Sequence, residues 1–100
     1  MSDKGPDKEF WELADSFINL ANKHLATVPR SKVSATFLYA VARFNAFVVT
    51  ANTESRTELE ADKERAIAYF AEQYEKMLRE NIDDHLANYE KYNQEMRTPK

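Results

Sequence analysis

The sequence predicts an all-α protein: a three-helix, bundle-like domain whose third helix is long or bent, with a short fourth helix as the variant of that arrangement. Three observations lead there. Glycine occurs once and proline three times in 100 residues, too little turn chemistry for a sheet protein with many hairpins. Apolar residues recur at spacings of three and four through three long segments. Pro29, the one proline away from the termini, falls between the first two segments, where it stops one helix before the next begins.

The first helix is expected from about Pro6 to Thr27. Proline at the first helical position has no N–H to leave unbonded. Phe10, Leu13, Ala14, Phe17, Ile18, Ala21 and Leu25 repeat at helical spacing, and Asp15, Asn19, Asn22 and Lys23 fall on the other side. His24 joins Leu13, Phe17 and Leu20 near the C-terminal end, where the helix dipole favours a cation, so it reads as a half-buried structural histidine.

The second helix is expected from Ser31 or Ser34, either hydroxyl serving as the cap, to about Asn52. Its run "FLYAVARFNAFVVTA" (37–51) is apolar apart from a few residues, Arg43 and Asn45 among them. At 100° per residue, Arg43 clusters with Thr36, Tyr39 and Thr50 in a narrow polar stripe and reaches water from it. Asn45 falls inside the apolar arc, between Val41 and Leu38. An amide there is expected to be buried and hydrogen-bonded, because a buried polar group without a partner is costly. A self-association seam is the second reading, since one such amide fixes register and oligomer state, and a ligand pocket is the third. An apolar surface this wide predicts a central helix with more than one neighbour. The apolar run itself is shorter than the 20 residues of a membrane span and carries Arg43 near its middle, so a core helix is expected and no membrane.

The third helix opens in "TESRTELE", where Ser55 with Glu58, or Thr57 with Glu60, has capping-box spacing. Leu59, Ile67, Phe70, Tyr74, Met77, Leu78, Ile82, Tyr89, Tyr92 and Met96 hold one face, and Glu72–Lys76 and Glu75–Arg79 are exposed pairs. Unbroken to Met96, this helix would be about 57 Å long against about 30 Å for the others. Two outcomes are open. The chain bends near Asn81–Asp84, with Asp83 as a new cap, and folds back; or the end projects and meets another subunit through Ile82, His85, Tyr89, Tyr92 and Met96. The whole chain, 1–100, reads as one helical domain with residues 1–5 and 97–100 as flexible tails.

Charge and composition narrow the function. The formal net charge is −3, and residues 54–96 hold twelve acids against six bases. Such a half repels phosphate backbones, so no nucleic acid is expected. The chain has no cysteine, which removes disulfides, thiolate metal sites and a thiol nucleophile and suits a reducing cytoplasm. "MSDKGPDKEF" lacks the basic start and apolar core of a signal peptide. A di-metal bundle needs Glu three residues before His; Ala21 and Ile82 stand there instead. No metal, cofactor or catalytic residue is assigned, and nothing resembles a nucleophile elbow or a phosphate loop. One candidate ligand site remains: Arg30, Ser31, Lys32 and Ser34 at the start of the second helix, where free N–H groups attract anions.

The stretches "FWELADSFINLAN", "KVSATFLYAVARFNAFVV" and "DKERAIAYFAEQYEKMLRENIDDHLANYEKY" resemble an uncharacterised family of short acidic helical proteins from proteobacteria, a domain of unknown function. The resemblance implies a bacterial, cytoplasmic protein and brings no activity, cofactor or catalytic residue. The leading expectation is therefore a non-enzymatic homo-oligomer acting through protein contacts, with itself or with another protein. A small-anion binding module at the start of the second helix is the alternative, and an enzyme of unknown class the third.

Overall fold

The structure is a computed structural model; it describes residues 7–97, with side chains and exposure through 93. The expectation about residues 1–5 and 98–100 lies outside them, and Arg97 is the last residue of the last helix. The described chain is all-α: α1 (Lys8–His24), α2 (Arg30–Ala51), α3 (Arg56–Ala87) and α4 (Tyr89–Arg97). It divides into two units, Met1–Thr50 and Ala51–Lys100.

In the first unit, α1 opens at Asp7, whose carboxylate accepts a hydrogen bond from the Phe10 N–H at 2.9 Å. Lys23 and His24 occupy its last turn, where cations complement the exposed carbonyls. The helix stops at His24, three residues short of the expected end. From there the ladder tightens: the N–H groups of Leu25, Ala26 and Thr27 bond three residues back, to Asn22, Lys23 and His24. Such bonds are the usual way a helix uses up its last carbonyls, and Pro29 forbids continuation.

Helix α2 begins one residue earlier than expected, and no hydroxyl caps it. The Pro29 carbonyl accepts from the N–H groups of both Lys32 and Val33, each at 3.1 Å. Proline thus ends one helix and its carbonyl starts the next, leaving Ser31 and Ser34 inside α2. Thr36 and Thr50 bond back to carbonyls of their own helix, Lys32 and Ala46, both at 2.9 Å, so these two hydroxyls of the polar stripe need no outside partner. Phe44 and Phe47 lie one turn apart with ring centroids at 6.1 Å. Helices α1 and α2 do not lie against each other.

In the second unit, Ser55 caps α3. Its hydroxyl accepts from the Glu58 N–H at 3.1 Å, and the Glu58 carboxylate accepts in return from the Glu54 N–H at 3.0 Å. This is the capping box read from the sequence, displaced by one residue on its return bond. Arg56–Glu60 (3.9 Å), Arg65–Asp62 and Arg79–Glu75 (2.6 Å) pair along the helix; Glu72 and Lys76 do not come within pairing distance. The half-buried positions Leu59, Asp62, Ala66, Phe70 and Gln73 form one stripe at spacings of three and four.

Helix α3 runs straight through Asn81–Asp84, so neither the expected bend nor the Asp83 cap occurs there. The break comes at Asn88, with φ −119° and ψ 31°. One non-helical residue is too short to reverse a chain, which takes two to five or so. The ladder is kept on both sides: Asn88 N–H bonds Asp84 and Tyr92 N–H bonds Asn88, both at 3.1 Å. The fold-back alternative is therefore excluded, and α4 follows α3 as its broken continuation.

Candidate functional site

The most unusual property of the described chain is its surface. Val33 is its one buried apolar side chain, and twenty large apolar or aromatic side chains are exposed. They are not scattered. Phe10, Leu13, Phe17 and Ile18 of α1 are the apolar face read from the sequence, and each is exposed by about half. His24 is exposed too, in place of the half-buried position expected for it. In α2, Leu38, Val41 and Phe44 are exposed, so the helix expected at the centre of a core presents much of its apolar arc. In α3, Ile67, Tyr74, Met77, Leu78 and Ile82 do the same.

Asn45 sits where the helical phase placed it. It is half-buried, as are Phe37, Val48 and Val49 within the same arc of α2. Full burial and a completed set of hydrogen bonds were expected, and neither is seen: the amide has no hydrogen-bond partner among the described residues. The side chains of α2 provide the reason. Those flanking Asn45 in the arc are hydrocarbon, and the threonine hydroxyls are already bonded to their own helix. Arg43, on the opposite side, is exposed and makes no ion pair among the described residues.

Of the other candidate residues of self-association, His85 and Tyr92 meet at the α3–α4 break. His85 and Tyr92 stack, centroids 3.9 Å apart and planes 16° from parallel. The Tyr92 hydroxyl donates to Asp84 Oδ2 at 2.8 Å, and Asn88 Nδ2 donates to both the carbonyl and the carboxylate of Asp84, each at 3.1 Å. Asp84 and Asn88 are not among the residues singled out from the sequence. The signal was present: Asp84, Asn88 and Tyr92 follow at intervals of four, which places them in one row. Ile82 and Tyr89 remain exposed at 51% and 58%, and the Met96 side chain lies outside the described residues.

Arg30, Ser31, Lys32 and Ser34 all lie in the opening of α2 and all are exposed. No acid stands in that first turn. Among the described residues no group of three or more His, Asp or Glu is placed to hold a metal ion. By length and composition α2 is long and apolar enough to cross a membrane, with 22 residues and a mean hydropathy of 1.4 over its best window. The expectation that it was too short counted only the apolar run and not the turns that precede it.

These features define a class: a small all-α protein with four helices among its described residues and extensive exposed apolar faces on them. The chain belongs to the DUF3144 family, described as a protein of unknown function, whose sequence profile matches residues 10–86. It is also similar to a solved structure, the NMR structure of the protein NB7890A from Shewanella sp., with a TM-score of 0.74 and 28% identity over 89% of this chain and 95% of that one. No curated protein matches it.

Proposed function

We propose that the protein is a non-enzymatic helical homo-oligomer of the bacterial cytoplasm that acts through protein–protein contacts, the whole chain serving as one domain. One observation carries this reading: Val33 alone is buried among the apolar side chains described. Phe10, Leu13, Phe17 and Ile18 of α1, taken within their own helix, are each exposed by about half. Twenty large apolar or aromatic side chains are exposed among the described residues, and contiguous apolar faces of this kind mark interaction surfaces. Copies of the same chain offer the same faces and are present wherever the protein is. The bacterial assignment is supported by the similar Shewanella protein, and the cytoplasmic one by a chain without cysteine.

A lipid occupant of α2 is disfavoured by Arg43, since a charge at the centre of a bilayer costs about 2.5–3.5 kcal/mol or more. Nucleic acid is disfavoured by the acidic second half. The small-anion reading at Arg30, Ser31, Lys32 and Ser34 is supported only by two bases in a helix opening without acids. Sedimentation velocity across a concentration series tests the main reading: a mass that is a multiple of 11.6 kDa supports it, and a monomer throughout refutes it.

A further inference from the structure

We infer that α2 is the seam of this assembly and that Asn45 lies at its twofold axis, its amide paired with the Asn45 amide of a second copy. The inference rests on the homo-oligomer reading and adds the place and the residue. Three observations converge on it. Asn45 is half-buried and its amide, which reaches solvent, lacks a partner among the described residues, and leaving such a group unmet inside a contact is costly. A carboxamide carries both an acceptor and a donor. Two of them related by a twofold axis satisfy each other, which neither a lipid tail nor an apolar side chain can do.

The surroundings are apolar, with Leu38 and Val41 beside Asn45 in the arc, 53% and 45% exposed. Charge selects α2 over the other faces. Between Val33 and Ala51 the one charged residue is Arg43, which is about 160° round the helix from Asn45 and so stays off the seam. Copies meeting through α3 and α4 bring together segments of the same negative sign, so a contact there adds to the α2 seam and does not replace it.

The cysteine-free chain makes the test direct. With oxidised glutathione as the two-electron acceptor, Asn45→Cys should form a disulfide-linked dimer at protein concentrations where the wild type sediments as an oligomer, because residues at a twofold axis come within the ~4.4–6.8 Å Cα separation of a disulfide. Arg43→Cys, on the far side of the helix, should stay unlinked. Asn45→Asp should raise the dissociation constant at least tenfold by setting two carboxylates together. An associated protein in which Asn45→Cys fails to link, or in which Asn45→Asp binds itself as tightly as the wild type, overturns the seam and leaves the homo-oligomer reading standing. A monomeric wild type overturns both. Flotation of the wild type with vesicles of phosphatidylethanolamine and phosphatidylglycerol, with Asn45→Cys unlinked in them, overturns the seam in favour of a lipid occupant.

Discussion

The Tyr92 hydroxyl donates a 2.8 Å hydrogen bond to the Asp84 carboxylate, eight residues back along the chain. The bond spans the break at Asn88 and ties the first turn of α4 to the last turn of α3. Stacking of the Tyr92 ring on His85 fixes the same junction from its other side. Helix α4 has nine residues, too few to be stable alone in water, so its order depends on this attachment.

Tyr92→Phe should therefore loosen α4 locally. Amide exchange at residues 89–93 should quicken severalfold, while the global unfolding free energy falls by no more than about 1 kcal/mol, the usual net worth of a hydrogen bond. Unchanged exchange at those amides would show that the bridge does not hold α4.

Ser55→Ala should lower stability by about 1 kcal/mol, within the range for loss of an N-cap. Thr57→Ala, one turn position later and outside the cap, should cost far less. Thermal or urea unfolding of the two variants, compared side by side, decides this; equal losses would mean that the box does not set the start of α3.

How much of this was legible in advance varies with the physics of each element. The box at Ser55 and Glu58, the stop at Pro29 and the Glu75–Arg79 pair depend on neighbours in sequence, and all three are found. The break at Asn88 was not legible. Asn81 and Asn88 each donate from the side chain to the carbonyl four residues back, Met77 and Asp84, yet only Asn88 interrupts the helix. Local sequence offers the same competing bond at both places. The phase of Asn45 was readable because helical periodicity is local. Its missing partner was not, because periodicity identifies which face needs cover and says nothing of what supplies it. The start of α2 was misplaced for a related reason: a backbone carbonyl, Pro29, took the role sought among hydroxyls.

Replacing Arg30 and Lys32 together by alanine should leave the unfolding midpoint nearly unchanged, since exposed charges without ion partners contribute little. If inorganic phosphate raises the wild-type midpoint, the double variant should lose that rise. A phosphate effect that survives both substitutions would remove this turn as an anion site.

Truncation after Glu80 removes Ile82, His85, Tyr89, Tyr92 and Met96, the C-terminal part of the apolar face read from the sequence, and leaves Ile67, Tyr74, Met77 and Leu78 in place. The shortened chain should stay helical by circular dichroism and shift toward smaller species in sedimentation. Loss of cooperative unfolding would mean instead that the segment supports its own subunit.

The central claim is that the apolar faces of this chain are covered by further copies of it. The most direct measurement is its mass in solution, by light scattering coupled to size-exclusion chromatography at tens of micromolar protein. The account predicts a mass at a whole multiple, two or more, of 11.6 kDa, falling toward that value on dilution. A particle that keeps a mass of 11.6 kDa at every concentration and still unfolds cooperatively would contradict it.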